Sequence, residues 1–240
     1  LTSPAGHIVP VDAQYFFNAM GTGKMPASDA WAKIASIITL PRIEYIVEEL
    51  IEQAEILGQK YLVWTAMPYG DMTSSQSMKK LVGAFTKAGD MCHDAGIKFA
   101  FHNHIEEFMP IDGQTPFDII LAETDPQKVF AELDFFWSGM ARVNPLQLLE
   151  KHSGRILLSH IKDISPQVVI AENGFTSMQN MRDLIGQDVF ADVGHGQLNY
   201  ETIISAAKKS GMEHFFVERD SSSDPMKSAI RSFKYISKLF

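Results

Sequence analysis

Short apolar runs alternate with amphipathic stretches along this chain, and several of the runs end in polar groups that carry chemistry. These runs are Phe99–Phe108 (FAFHNHIEEF), Glu132–Trp137 (ELDFFW), Leu157–Asp163 (LLSHIKD) and Phe215–Asp220 (FFVERD). Each of them precedes or follows a helical stretch, so the order is strand, helix, strand, helix. The pattern predicts parallel strands whose carboxyl ends collect His, Asp, Glu and Lys side chains at one edge.

Six such βα units can be counted. The predicted strands are the one ending at His7, then 60–68, the His-rich run, 129–137, 155–163 and 212–220. Functional groups at the ends of several parallel strands are typical of a (β/α)8 TIM barrel, which has eight units. We therefore expect a single α/β domain over residues 1–240 that shows strands 3–8 of the barrel and lacks its first two βα units, so that its first and last strands do not hydrogen-bond to each other. An irregular excursion from Ile164 to about Gly196 interrupts the fifth unit.

The net charge of the chain limits the kinds of molecule that it is expected to bind. The net charge of −8 argues against nucleic acid, whose binders carry a basic face, and favours a small neutral or weakly charged ligand. No apolar run approaches the ~20 residues of a membrane span. The pattern leaves a homo-oligomer open, and it is compatible with a cytoplasmic location or, after removal of a signal peptide, a periplasmic one.

The strand-end motifs together resemble a known family. HNHIEEF, ELDFFW, SHIKD and the C-terminal GHGQLNYETIISAAKKSGMEHFFVERD are similar to the sugar (phosphate) isomerase/epimerase group of the xylose isomerase-like TIM barrels, the AP endonuclease family 2 superfamily. Each motif alone is weak, but their order and spacing match from about His7 to the C-terminus. The resemblance implies an enzyme of carbohydrate metabolism.

A divalent metal ion is also implied by the resemblance. Family members hold the cation between Glu, Asp, His and a second Glu on successive strand ends, which correspond here to Glu107, Asp134, His160 and Glu218. Such a set suits Mn²⁺, Mg²⁺, Co²⁺ or Zn²⁺. The first acid is the least certain, because the 3-epimerase members carry it where this chain has Ala100.

The expected chemistry is proton transfer beside a carbonyl through an enediolate, which a Lewis-acidic cation stabilises. Acid and base groups must then flank the reacting carbon. The predicted catalytic residues are Glu107, Glu218, His102, His104 and Lys162. His102 and His104 share one face if the strand alternation continues through both, and Lys162 would supply a fixed positive charge for a substrate oxygen, with Asp163 facing away from it.

Further residues are candidates for substrate binding. They are His7, Asn103, Trp64, Trp137 and His195. Most have an alternative role: His7 as a structural hydrogen-bonding residue, and the tryptophans as core at the barrel rim. Asp134, for its part, could simply cap the helix that follows it.

We expect an isomerase or epimerase. Two alternatives stay open: a lyase of the same superfamily, such as an inosose dehydratase or an enzyme that cleaves a 3-keto glycoside, and a barrel that binds sugar without turnover. The first acid ligand distinguishes the sugar-binding barrel without turnover from the enzymes. If Glu107 did not reach the metal, only three ligands would remain, because the other family position for this acid is occupied by Ala100.

Overall fold

The computed structural model describes residues 3–8, 24–26, 29, 33, 38–65, 67–68, 72–172, 174–175 and 189–240. They form two compact units, Leu1–His102 with Pro110–Phe130, and Asn103–Met109 with Ala131–Phe240. The prediction of a single domain over residues 1–240 stays a prediction. Within the described part of the chain, no helix combines the length and the apolar character needed to cross a membrane.

The first unit contains three parallel strands in the order β1–β2–β3. Its elements are β1 (Ala5–Ile8), α1 (Leu40–Leu57), β2 (Tyr61–Trp64), α2 (Ser75–Asp94), β3 (Lys98–His102) and α3 (Pro116–Glu123). Local sequence signals set the helix ends. Helix α1 has Pro41 in its first turn and ends at Gly58, whose φ of 65° suits glycine, while Ser74 and Ser77 form a capping box at the start of α2.

Aromatic side chains between helix and sheet form the core of the first unit. Phe85 of α2 lies edge-on to Phe99 of β3, with ring centroids 5.3 Å apart, and stacks on Phe101 at 5.8 Å. All three rings are fully buried. Their burial fixes α2 against β3, the strand that leads into the His-rich segment.

The second unit carries the other three parallel strands, in the order β4–β5–β8. Its elements are β4 (Val129–Asp134, within this unit from Ala131), α4 (Phe135–Met140), α5 (Pro145–Lys151), β5 (Ile156–Ile161), β6 (Asp163–Ile164), β7 (Phe190–Ala191), α6 (Tyr200–Lys209), β8 (His214–Val217) and α7 (Pro225–Ile236), with 3-10 turns at Glu106–Phe108 and Ser237–Leu239. Strands β6 and β7 form a separate antiparallel pair.

The register of the second unit brings the strand ends level with one another. Asp134, the last residue of β4, pairs with His160 near the end of β5. Ile161 pairs with Val217, the last residue of β8, so Glu218 follows at the same edge. Because carboxyl ends of parallel strands share an edge, these polar side chains lie together.

The six predicted strands are confirmed as six parallel strands, three in each unit, but three local details differ. Phe135–Trp137 starts a helix and does not extend β4. Strand β3 ends at His102, so the alternation that was expected to place His104 on the same face does not reach it. The predicted excursion contains β6 and β7, and its residues 173 and 176–188 lie outside the described residues. The expected opening between the first and last strands stays a prediction.

Helix α7 has an unusual orientation of its two faces. Its serines Ser228 and Ser232 are buried, whereas Met226 and Phe233 are 72% and 66% exposed. The two serine hydroxyls hydrogen-bond to the loop before α6, and Ile236 at the end of the helix is buried with them.

Replacing Phe85 by Ala should lower the free energy of unfolding by about 3–5 kcal/mol, since it removes a fully buried ring from contact with Phe99 and Phe101. Denaturant unfolding followed by circular dichroism measures this. Lys80→Ala, an exposed position on the same helix, is the control and should change stability by no more than about 0.5 kcal/mol. Equal effects of the two substitutions would contradict the assigned core.

Candidate active site

Six titratable side chains meet at the carboxyl ends of β4, β5 and β8, and we call them the acid–base cluster. Its members are Glu132, Asp134, His160, Lys162, Glu218 and Asp220. They form three pairs, and the two members of each pair are two residues apart: Glu132 and Asp134 at the end of β4, His160 and Lys162 at the end of β5, and Glu218 and Asp220 just after β8. The period of two along an extended chain places both members of a pair on the same face.

His160 is held through both ring nitrogens. Its Nε2 lies 3.2 Å from Glu132 Oε2, and its Nδ1 lies 2.7 Å from Glu218 Oε2. Burial by itself lowers the pKa of this imidazole, but the nearby Glu218 carboxylate and the charge of Glu132 outweigh burial and raise the pKa to about 9. The ring is therefore protonated near neutral pH when only these groups surround it, and Glu132 fixes its orientation.

Lys162 is a buried ammonium among carboxylates. Its Nζ lies 2.8 Å from Asp220, 2.9 Å from Glu218 and 3.3 Å from Asp134, and the residue is 3% exposed. Burial lowers the pKa of Lys162, yet the charges of Asp134 and Asp220 outweigh it and hold the pKa above its usual value. Glu218 shows the reverse balance: burial raises its pKa, but the bonds from His160 and Lys162 hold the pKa well below its usual range.

One carboxylate oxygen of Asp134 caps a helix, and the other contacts members of the acid–base cluster. Its Oδ1 accepts the backbone N–H groups of Phe136, at 2.8 Å, and Trp137, at 3.1 Å, and so caps α4. Its Oδ2 points to Lys162 and lies 3.7 Å from His160 Nδ1. The two roles considered for this residue, helix cap and cluster member, are thus compatible.

Asn103 and Glu107 are buried beside this cap. Asn103 Oδ1 accepts the backbone N–H of Asp134 at 3.0 Å, and its Nδ2 donates to the carbonyl of His104 at 3.3 Å. Glu107 Oε2 accepts the N–H of His104 at 2.7 Å, while its Oε1 is buried with no hydrogen-bond partner among the described residues. Burial, helped by the charge of Glu106, raises the pKa of Glu107 to about 8.

The donor set fits a divalent cation. His160 Nδ1 lies 2.7 Å from Glu218 Oε2 and 3.7 Å from Asp134 Oδ2, and imidazole and carboxylate groups are ligand types that such a cation accepts. Three of the four predicted ligands are thus linked through His160, and their joint binding of one ion stays a prediction. The contacts seen for Glu107 are with the backbone of His104, so its role as a fourth ligand stays a prediction.

The predicted substrate-binding residues are divided between the units. His7 and Trp64 belong to the first unit, as does His102, which was predicted to be catalytic. In the second unit, the Trp137 ring is buried, with its centroid 5.2 Å from that of the His104 ring and 5.6 Å from Lys162 Nζ. His195 is exposed, in the loop before α6. All these binding assignments stay predictions.

Asp163 organises the loop that carries His195, a role not expected from the sequence. Its carboxylate accepts four backbone N–H groups at 2.9–3.1 Å, those of Ile164, Gly194, Gly196 and Leu198. Burial raises the pKa of Asp163, and these four bonds oppose the rise. The close approach requires glycine at 196, where a Cβ would lie 2.2 Å from Asp163 Oδ1.

Glu132 was also not predicted as a site residue. It lies inside a fully buried strand run and its only sequence signal is its position two residues before Asp134. Residues two apart on a strand point to the same face, so Glu132 lies on the same face as Asp134. This spacing is the pattern by which Glu132 could have been found.

Comparisons with known proteins agree with this geometry. Residues 43–239 match the family described as xylose isomerase-like TIM barrel. An inosose dehydratase from Clostridium botulinum (strain Alaska E43 / Type E3) is 22% identical over 96% of this chain and 82% of its own length. A crystal structure of a sugar phosphate isomerase/epimerase from Parabacteroides distasonis superimposes with a TM-score of 0.70 and 20% identity, covering 98% of this chain and 70% of that one.

A third protein in this comparison was solved with a metal. The IOLI protein with a bound zinc atom superimposes with a TM-score of 0.58 and 17% identity, over 90% of this chain and 72% of that one. These likenesses, with the family match, confirm the predicted TIM-barrel fold and the predicted family resemblance.

Glu218→Gln should weaken binding of Mn²⁺ or Zn²⁺ at least tenfold, because it removes one anionic donor and keeps the side-chain shape. Calorimetric titration of the metal-free protein measures the affinity. Glu201→Gln, the same substitution at an exposed position of α6, is the control and should leave the affinity unchanged. Wild-type affinity in the Glu218 variant would show that this carboxylate is not a ligand.

Gly196→Ala should lower the free energy of unfolding by about 1–3 kcal/mol, because the new methyl group overlaps the Asp163 carboxylate and the Ile164 carbonyl. The same substitution at Gly83, inside α2, has open space and should raise stability by about 0.5–1 kcal/mol through helix propensity. Thermal unfolding compares the two. A Gly196 variant as stable as wild type would refute the close approach of loop and carboxylate.

Proposed function

Since the chain belongs to the family described as xylose isomerase-like TIM barrel, we propose that it is a metal-dependent enzyme that removes a proton beside a carbonyl group of a sugar or related polyol. The acid–base cluster is the observation that carries the proposal. It gathers an imidazole, an ammonium and several carboxylates at the strand ends where enzymes of this fold have their active sites.

Asp134, His160 and Glu218 are the residues proposed to hold the cation. Glu132 supports them, because its bond to His160 Nε2 turns Nδ1 toward the two carboxylates. When bound, a divalent cation supplies Lewis acidity at the carbonyl oxygen of the substrate. The IOLI structure with its bound zinc atom supports a metal in this fold without identifying the ion used here.

Lys162 is proposed to stabilise negative charge on a substrate oxygen. Its three acidic neighbours keep the ammonium protonated, and its burial excludes the water that would screen it. A fixed positive charge at the oxygen where charge develops lowers the barrier to proton removal.

Glu107 is the carboxyl group best matched to proton transfer near neutral pH. Its pKa of about 8 lies close to neutral pH, so that both its protonated and its ionised forms are accessible there for proton transfer. Glu218, whose pKa lies far below its usual range in the metal-free cluster, is a weaker base and is better suited to a ligand. His102 and His104 remain proposed acid/base groups.

Two outcomes can follow removal of the proton. Return of a solvent proton to the same carbon, or to the neighbouring one, gives an epimer or an isomer. Departure of hydroxide from the adjacent carbon, with a proton, releases water and gives a dehydrated ketone. The relative named inosose dehydratase favours this second outcome as an alternative, and the neighbour named sugar phosphate isomerase/epimerase favours the first.

Solvent deuterium exchange tests the shared step. Ketohexoses and inososes are incubated with the protein and Mn²⁺, Mg²⁺, Co²⁺ or Zn²⁺ in D₂O, and the products are examined by NMR and mass spectrometry. We expect deuterium at the carbon beside the carbonyl. The product of an isomerase or epimerase keeps all oxygen atoms of the substrate, whereas the product of a dehydratase has lost one water molecule. Ligand binding without exchange for any probe would favour a non-catalytic sugar-binding barrel and overturn the proposal.

Lys162→Met should reduce kcat by about 100-fold, because the transition state loses a buried positive charge. The affinity for the metal should not fall, because the substitution removes a positive charge that lies beside the carboxylates of Asp134 and Glu218 and would repel the cation. Lys209→Met, at an exposed position of α6, is the control for loss of a lysine and should keep full turnover. Turnover of the Lys162 variant close to that of wild type would remove Lys162 from the mechanism.

A further inference from the structure

Trp137 is tied by its backbone to the acid–base cluster. It stands in the first turn of α4, where its N–H donates to Asp134 Oδ1 at 3.1 Å. The oxygen that caps this turn belongs to the same carboxyl group whose other oxygen contacts Lys162. The position of the indole is therefore coupled to the position of a cluster member.

The surroundings of the indole are aromatic and cationic. Phe136 lies edge-on to it, with centroids 4.9 Å apart, and the His104 ring is 5.2 Å away. Lys162 Nζ lies 5.6 Å from the ring centroid. The ring is 5% exposed, yet its Nε1 is buried without a hydrogen-bond partner among the described residues.

A buried, unsatisfied N–H is unfavourable, and most such groups in folded proteins have an acceptor. The indole N–H can only donate, so its partner must offer a lone pair. The neighbouring ammonium disfavours a cationic partner and favours an oxygen that carries full or partial negative charge. A hydroxyl or carbonyl oxygen of a polyol meets both conditions.

We infer that the indole N–H of Trp137 donates a hydrogen bond to an oxygen of the bound polyol, next to the oxygen that Lys162 contacts, and that it determines which hydroxyl pattern is accepted. This inference rests on the proposed function. It assigns Trp137 a specific polar contact, beyond the aromatic stacking on a sugar ring expected from the sequence.

The substitution Trp137→Phe tests the contact, because it keeps an aromatic ring and removes the N–H. With a probe that shows deuterium exchange, we expect KM to rise about 3- to 10-fold with kcat within twofold, and the melting temperature to stay unchanged. Deoxy analogues of that probe, each lacking one hydroxyl, locate the contact: one of them should bind wild type and variant equally. Tyr45→Phe, which removes an exposed hydroxyl from α1, is the control and should leave KM unchanged.

Indole NMR gives a readout that does not depend on turnover. The ¹⁵N–¹H signal of Trp137 is assigned by its loss in the Phe variant, and a ketohexose or an inosose is then added with Mg²⁺ or Zn²⁺. A downfield proton shift of this signal is expected. Deuterium exchange with an unmoved signal and an unchanged KM in the variant would overturn the inference and leave the proposed function standing, whereas no exchange with any probe would overturn both.

Discussion

Burial of the Lys162 ammonium is the constraint on which the rest of the second unit depends. An isolated charge in a protein interior is strongly unfavourable, and it is tolerated when carboxylates surround it. The carboxylates come from β4 and from the residues after β8, while Lys162 follows β5. The three strand ends must therefore stay level, and the parallel register of Asp134 beside His160 keeps them so.

The same groups link the fold to the chemistry. Asp134 begins helix α4 with one oxygen and faces Lys162 with the other, and Asn103 holds its backbone from the segment after β3. A change that moved α4 would also move the carboxylate, and with it the proposed metal site. Tyr200 adds a further link, because its hydroxyl donates to the Lys162 carbonyl at 2.8 Å and fixes α6 to the end of β5. The site is positioned by packed elements on three sides.

The sequence predicted the elements well where periodicity and end signals agree. Helix α1 has a regular apolar stripe and ends at Gly58, and both features were visible in the chain. The segment Phe135–Trp137 was misassigned to a strand because its aromatic residues favour one, although Asp134, considered from the sequence as a possible helix cap, does start a helix there. In helix α7, hydrogen bonds of Ser228 and Ser232 to the loop before α6 accompany the burial of both serines, and the sequence analysis made no prediction of which face is buried.

The candidate site was predicted only in part, because strand alternation is a local pattern and contacts between distant segments are not. The spacing of His160 and Lys162 along one strand gave their common face, because alternation is a local property. Alternation did not extend to His104, since β3 ends at His102. The carboxylate of Asp163 binds backbone N–H groups of the loop at Gly194 and Gly196, a contact made across a long stretch of sequence that the strand pattern did not reveal. Such contacts depend on packing that no local pattern encodes.

The charge balance of the acid–base cluster explains why the donor set suits a divalent cation. Four carboxylates face two cationic groups, Lys162 and the protonated His160, which leaves an excess of negative charge. His160 Nδ1 lies 2.7 Å from Glu218 Oε2. Because a metal ligand must be deprotonated, binding of a divalent cation by this imidazole would exchange one positive charge for two and would reduce the excess. Lys162 remains in both states, and it is therefore the fixed charge against which the rest of the cluster is arranged.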